Sequence, residues 1–422
     1  MRDDAFQETL NQVVKDIPAI FLEDLISKKL KRQGITAPGA LSKKLARHIL
    51  SGTGEPFRYN SRKYSGNINL AFDEADADEI TRAFECFQNE QLPKILPEIA
   101  EHLSKSVLKN LKSRWPDEYA QQEAELAGFR QRLEERWGQP LGQLRMLLTM
   151  SREWCEWAHN RNESLKSGKK KQLRAILIRL LVRGCQVTDE IICLLENGFA
   201  DGAMARWRTL HEIAVVAAVI AQHGEAIAER YLDHQAVESK RALDKYLACY
   251  KDLGYKPLPA REQKKILNAY DKAIAKYGPS FGTDYGWAAL HLNNPKPSFT
   301  ALEKAAGRAE MRSYYQMGND NIHAGIKSMY VRLGLLDYDG LLAGRSNGGL
   351  MEPGQNAAHT LTQLSALVCL SEPIMDDLVA GDMMRMLRDE IPKSFNRAVK
   401  QLRRDDKAYR STQNGTCPSP TK

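Results

Sequence analysis

The stretch SYYQMGNDNIHAG, residues 313–325, carries side chains that could do acid–base chemistry. Asn319 and His323 are four residues apart, so on a helix they share one face. Histidine is the usual general acid or base near neutral pH, and an asparagine beside it could position a substrate. We therefore predict that both residues are catalytic. The alternative is close helix packing, because Gly318 and Gly325 each cost a helix about 1 kcal/mol relative to alanine.

A second pair, Arg208 and Glu212, has the i, i+4 spacing within a stretch rich in Ala, Val and Ile. A charge on such a helix is expensive to bury unless it is paired. One interpretation is a buried ion pair that fixes the helix register. The other is a site in which Arg208 holds a phosphate and Glu212 orients Arg208. We count both among the predicted catalytic residues, and the structural alternative stays open.

Arg230 and His234 repeat this spacing, and we predict that they bind the substrate; a surface row of ion pairs is the alternative. The net charge of +8 concentrates in the run KSGKKKQLR, residues 166–174, and near the C-terminus. A basic run attracts a phosphate backbone, so we predict RNA or another phosphate-bearing ligand as the partner. No aromatic residues are interleaved for base stacking, which leaves a solvated loop as the alternative. The binding residues predicted in this run are Lys169, Lys170, Lys171 and Arg174.

Arginine followed at short spacing by histidine is the pattern of helical ribonucleases of the HEPN class, in which histidine moves the 2′-hydroxyl proton and arginine stabilises the phosphorane. The chain holds two such pairs, Arg206 with His211 and Arg152 with His159. About two pairs are expected by chance, so the motif alone is only a hypothesis. No spacing of His, Cys, Asp or Glu is typical of a zinc site, so we predict neither a metal nor a cofactor.

The elements that must hold these residues are helices. Apolar residues recur at helical spacing along most of the chain and strand signals are weak. This pattern predicts an all-α protein, a multi-helix bundle core with an N-terminal helical region. A chain of 422 residues is too long for one simple core. We predict an N-terminal helical region over 1–165, the core over 166–380, and a basic, partly disordered tail over 381–422.

Three features predict the compartment. The N-terminus has no basic head before an apolar run, so we expect no signal peptide. The most apolar stretch, 213–221, would span about 14 Å as a helix, which is well short of a bilayer. The 7 cysteines show no metal or redox spacing, as is typical of free thiols in a reducing cytosol. We therefore predict a cytoplasmic protein without a membrane partner.

Several short motifs follow one another in the second half of the chain. They are RTLHE (208–212), ERYLDHQ (229–235), YGWAAL (285–290), NIHAG (321–325) and AGRSNGGL (343–350). As a set they resemble an uncharacterised bacterial family catalogued as domain of unknown function 5677, over roughly residues 170–375. The resemblance implies a helical fold and a bacterial, cytosolic origin. It brings no established reaction, substrate or cofactor.

These observations support one main hypothesis, one alternative and a third, weaker option, a small-molecule enzyme, which only the aromatic loop 281–299 supports. The first is a metal-independent, RNA-directed nuclease in stress or phage defence. Arg208 would hold the phosphate, His323 would transfer the proton and Asn319 would position the substrate. The alternative is a non-enzymatic interaction or scaffold protein, in which the polar helix pairs lock the packing. A homodimer is considered under both hypotheses.

Overall fold

The computed structural model describes residues 5–35, 39–52, 56–59, 68–164, 171–323, 325–336, 341–371 and 373–414. These residues form helices joined by turns and loops, without a strand, so the predicted all-α class is confirmed. The chain divides into two compact units, residues 1–122 and 123–422. The division falls inside one long helix. The domain boundaries expected from composition, after residues 165 and 380, stay predictions beside this division.

The described part of the first unit contains three helices and the start of a fourth. They are α1 (Ala5–Arg32), α2 (Gly39–Leu50), α3 (Glu74–Cys86) and the beginning of α4 (Leu92–Ser164). Asp73 caps α3, since its carboxylate accepts the Asp76 N–H and the Asp76 carboxylate accepts the Asp73 N–H. The buried residues of this unit's small core are Leu22, Ile26, Leu30 and Ala46.

The second unit contains the rest of α4 and ten further helices among its described residues. In chain order they are α5 (Lys171–Glu196), α6 (Ala200–His223), α7 (Glu225–Asp233), α8 (Gln235–Cys249), α9 (Ala260–Tyr277), α10 (Phe299–Ala305), α11 (Arg312–Asp320), α12 (Ile326–Tyr330), α13 (Met351–Cys369) and α14 (Met375–Asn414).

The core of the second unit lies among α5, α6, α13 and α14, with the second half of α4 packed against them. Gly184 on α5 lies against Leu364 on α13 where a larger side chain would collide, so these two helices approach closely. Trp207 on α6 is fully buried, and its ring N–H donates to Thr360 Oγ1 at 3.0 Å. The polar atom of this large ring is therefore satisfied inside the core.

The segment that we expected to be a tail is a helix as far as residue 414. Ile391, Phe395 and Leu402 recur at helical spacing along α14 and are buried. The Phe395 ring lies 6.0 Å from the ring of Trp137 on α4. The described basic side chains of this segment are exposed on the remaining surface of the same helix, apart from Arg388, which is partly buried. The rest of the predicted tail, residues 415–422, lies outside the described residues.

We expect Phe395→Ala to lower the free energy of unfolding by about 3–5 kcal/mol, because the ring fills core space from which solvent is excluded. Chemical denaturation followed by circular dichroism measures this change. Met386→Ala is the matched control, since Met386 lies on the same helix with 57% of its surface exposed. The control should change the stability by less than about 0.5 kcal/mol. Equal effects for the two variants would contradict the burial of α14.

Candidate functional site

The predicted pair Arg208 and Glu212 is joined by a third residue, Tyr315 on α11. Arg208 and Glu212 form an ion pair of 2.9 Å along α6. Arg208 Nη2 donates to the Tyr315 hydroxyl at 2.7 Å, and that hydroxyl donates to Glu212 Oε1 at 2.7 Å. The guanidinium also lies over the Tyr315 ring, 4.7 Å from its centre. We call these three residues the Arg208 cluster.

Gly318 explains how α11 comes so close to α6. A Cβ atom at this position would lie 3.3 Å from both Arg208 Cβ and Met204 O, which is tighter than ordinary packing. The glycine therefore serves a close approach of two helices, as the packing alternative stated. Gly325 is different, since a Cβ there would meet nothing within 4 Å. Gly325 also lies outside any helix, immediately before α12.

The expectation that Asn319 and His323 share one face of a continuous helix is wrong, because α11 ends at Asp320. The sequence GNDN at 318–321 is poor in helix-forming residues. Asn321 supports the helix end, since its side-chain N–H donates to the Met317 carbonyl at 3.3 Å. The His323 N–H still donates to the Asn319 carbonyl at 3.0 Å. The two residues therefore stay neighbours at the end of α11.

The four predicted catalytic residues have different environments. Arg208 and Glu212 are partly buried in the Arg208 cluster, and Asn319 follows the glycine that packs on Arg208. Asn319 Oδ1 and Arg208 Nε are both buried, and neither has a hydrogen-bond partner among the described residues. His323 is exposed, one turn farther along the chain. The structure thus brings Arg208 and Glu212 together, and Asn319 lies at the same contact between α6 and α11. The side chain of His323 makes no contact with these three residues.

A buried network lies behind the Arg208 cluster, and sequence reasoning did not find it. His211 Nε2 lies 3.0 Å from Glu303 Oε1, and Glu303 Oε2 accepts from Arg312 at 2.6 Å. Burial lowers the pKa of His211 to about 4, and the nearby Arg308 guanidinium adds to this shift. His211 is therefore neutral at pH 7 and donates its Nε2–H to the carboxylate. The one sequence signal was His211 on the apolar face of α6.

Arg230 and His234, predicted as binding residues, are buried against the aromatic segment 279–290. Arg230 Nε donates to the Trp287 carbonyl at 3.0 Å, and its guanidinium lies 4.6 Å from the centre of the Tyr277 ring. Burial lowers the pKa of His234, whose Nε2–H donates to the Thr283 carbonyl at 3.0 Å. Because of these contacts, neither residue belongs to a surface row of ion pairs. Both hold the segment 279–290 against α7 and its neighbours in the second unit.

The predicted basic run is only partly described, since Lys169 and Lys170 lie outside the described residues. Lys171 begins α5 and Arg174 is buried within its first turn. The first N–H groups of α5 are already in use: those of Gln172 and Leu173 donate to the Glu225 carboxylate at 3.2 and 3.0 Å. This internal carboxylate occupies the helix N-terminus, the position at which an external anion would bind.

A cleft of about 670 Å³ lies between the second half of α4 and α5. We call it the α4–α5 cleft. It is bordered by Arg152 and His159, one of the two arginine–histidine pairs noted in the sequence. Arg152 is paired with Asp189 across the cleft at 2.7 Å. None of the residues predicted as catalytic borders this cleft.

Among the described residues, no group of three or more His, Cys, Asp or Glu side chains is placed to hold a metal ion. No helix in this part of the chain is both long and apolar enough to cross a bilayer.

Comparison with known proteins gives one match. Residues 174–341 match the model of a family described as a family of unknown function, DUF5677. The match confirms the resemblance over these residues, and the motif AGRSNGGL (343–350) lies beyond them. The matched DUF5677 segment contains the Arg208 cluster, Asn319, His323 and the Arg230–His234 pair, and it ends before α13. No curated protein and no solved structure matches the chain.

Replacing Tyr315 by phenylalanine tests whether the hydroxyl holds the Arg208 cluster together. We expect the free energy of unfolding to fall by about 1–3 kcal/mol, since two partly buried charged groups lose a hydrogen-bond partner. Thermal and chemical denaturation measure the loss. Tyr314→Phe is the control, because Tyr314 is the adjacent, exposed residue. Similar losses in both variants would show that the hydroxyl bridge contributes nothing specific.

The lowered pKa of His211 predicts a dependence of stability on pH. The unfolded chain takes up this proton near pH 6.5 and the folded chain near pH 4, so stability falls as the pH drops between these values. From pH 7 to pH 5 the loss should be about 2 kcal/mol. His211→Gln keeps a donor for Glu303 and should remove the part of this dependence that His211 causes. Burial also lowers the pKa values of His234, His291 and His359, so their part should remain in the variant. Denaturation curves at both pH values give the result, and an unchanged pH dependence in the variant would contradict it.

Proposed function

We propose that the α6–α11 surface binds a phosphate-bearing ligand, RNA first of all, and cleaves it without a metal. The observation that carries this proposal is the pair of buried, unpaired polar atoms, Arg208 Nε and Asn319 Oδ1. Buried polar atoms are nearly always hydrogen-bonded, so two unpaired ones on adjoining helices favour a binding site at this contact. Both atoms belong to residues that the sequence singled out for catalysis.

The proposed roles follow from what each side chain already does. Glu212 and Tyr315 fix the Arg208 guanidinium, which would bind the phosphate and stabilise the charge that develops on it. Asn319 Oδ1 would accept from a ribose hydroxyl. His323 is exposed, and its imidazole would accept the 2′-hydroxyl proton and return a proton to the leaving oxygen.

The partner and setting belong to the same proposal. We place this RNA cleavage in stress or phage defence in the bacterial cytosol. The cysteines among the described residues are free thiols, which is typical of a reducing compartment.

A second candidate is the interaction protein, and the exposed face of α14 favours it. Met375, Val379, Met383 and Met386 recur about one turn apart, and each has at least 52% of its surface exposed. A row of flexible, apolar side chains on one helix face is typical of a surface that binds another protein. Under this hypothesis the Arg208 cluster only fixes the packing of α11 on α6.

RNA cleavage by the purified protein decides between these functions. We expect wild-type protein to cleave single-stranded RNA with a chelator present, and His323→Ala to lose at least about 100-fold in rate, the usual contribution of a general acid–base group. Asn319→Ala should weaken RNA binding in a filter assay. His102→Ala is the control for the loss of an exposed histidine, and it should behave as wild type.

Matched circular dichroism spectra show that the variants fold. Absence of cleavage by folded wild-type protein would reject the nuclease and leave the interaction protein. Cleavage that is lost with the chelator would reject the metal-independent mechanism. Cleavage retained by His323→Ala would reject the role of this histidine.

A further inference from the structure

The α4–α5 cleft has an apolar floor. Its deeper wall is formed by Ile178, Cys155 and Cys185, all buried, and the two sulfur atoms lie 3.9 Å apart. Val182 stands nearer the surface, with 52% of its area exposed. A volume of about 670 Å³ falls in the range that encloses a small organic molecule. The floor would therefore accept an apolar body of that size.

The charges at the rim are not balanced. Arg152 and Asp189 neutralise each other through their 2.7 Å ion pair. Among the described residues that border the cleft, Glu156 and Glu163 then face one further guanidinium, that of Arg179. The described carboxylates at the rim therefore outnumber the described guanidinium groups. A cation is favoured there and an anion is disfavoured, which makes the cleft unsuited to a nucleic-acid backbone.

Asn162 supplies the third feature. Only 3% of its surface is exposed, it borders the cleft, and no described residue hydrogen-bonds to its Oδ1. A buried amide oxygen without a hydrogen-bond donor lowers the stability of the fold, so this position favours a ligand that carries an N–H or O–H group. A quaternary cation cannot supply that group, whereas a primary ammonium can.

We propose that the α4–α5 cleft binds a small organic cation, a primary ammonium carried on an apolar body. The apolar part would lie on Ile178 and Val182, and the ammonium would donate to Asn162 Oδ1 near the excess carboxylates. The site shares no residue with the Arg208 cluster, so it is independent of the nuclease proposal. A ligand bound in this cleft would contact both α4 and α5.

Isothermal titration calorimetry with three probes of the same chain length tests this site. The probes are octylammonium, octyltrimethylammonium and octanoate, each below its micellar concentration. We expect octylammonium to bind the full-length protein at one saturable site. Octyltrimethylammonium should bind at least about tenfold more weakly because it has no N–H group, and octanoate should bind more weakly still.

Two variants locate the site. Val182→Trp fills the mouth of the cleft from an exposed position and should abolish octylammonium binding. Glu156→Gln should weaken it about threefold to tenfold, as expected for one rim charge. Glu153→Gln is the matched control, since Glu153 is exposed on the same helix and does not border the cleft. This control should bind as wild type.

Each other outcome overturns the proposal. Equal binding of octanoate and octylammonium would make the cleft a non-selective apolar surface. Equal binding of the two cations would remove the role of Asn162 as an acceptor. Binding unchanged in both Val182→Trp and Glu156→Gln would place the ammonium elsewhere, and no binding of any probe would reject the site.

Discussion

The contact of α11 with α6 is the constraint on which the candidate site depends. The absence of a side chain at Gly318 lets α11 lie against the backbone of α6, and this closeness brings the Tyr315 hydroxyl between Arg208 and Glu212. A charged pair that would otherwise lie along one helix is thereby shared by two. The stacking of Tyr315 on Phe299, with ring centres 4.9 Å apart, extends the same arrangement to α10.

The polar side chains behind this contact are progressively less exposed to solvent. Arg208 and Glu212 keep about a third of their side-chain surface, whereas His211 and Glu303 keep almost none. Arg312 bridges the two layers, since it donates to Glu303 and lies over the Tyr315 ring. Such a gradient from solvent to core is common at sites that shift the pKa values of their residues, and it also occurs in structural ion-pair networks. The unpaired atoms of Arg208 and Asn319 are what favour a site here.

The sequence predicted those features that depend on local spacing. Helical periodicity was enough for the all-α class, and the i, i+4 rule was enough for the ion pair of Arg208 with Glu212. The contact of Tyr315 with this pair could not be predicted. Tyr315 is 107 residues from Arg208 and 103 residues from Glu212, and no local pattern encodes a contact at such a separation. Arg230 and His234 look like surface residues beside their charged neighbours, yet the aromatic segment 279–290 covers them. The helical end of the chain was missed because its many charges hid the spacing of Ile391, Phe395 and Leu402.

The carboxylate of Glu225 at the start of α5 has a consequence for how this protein responds to anions. It is tethered beside the N–H groups of Gln172 and Leu173, from which it accepts hydrogen bonds, so its local concentration far exceeds that of any anion in solution. To bind at this helix N-terminus, a phosphate from solution must displace the Glu225 carboxylate, which is part of the same chain. The positive end of the α5 helix dipole therefore contributes little to the binding of anions from solution. Attraction of anions to this region comes from charged side chains instead, and added salt would screen it.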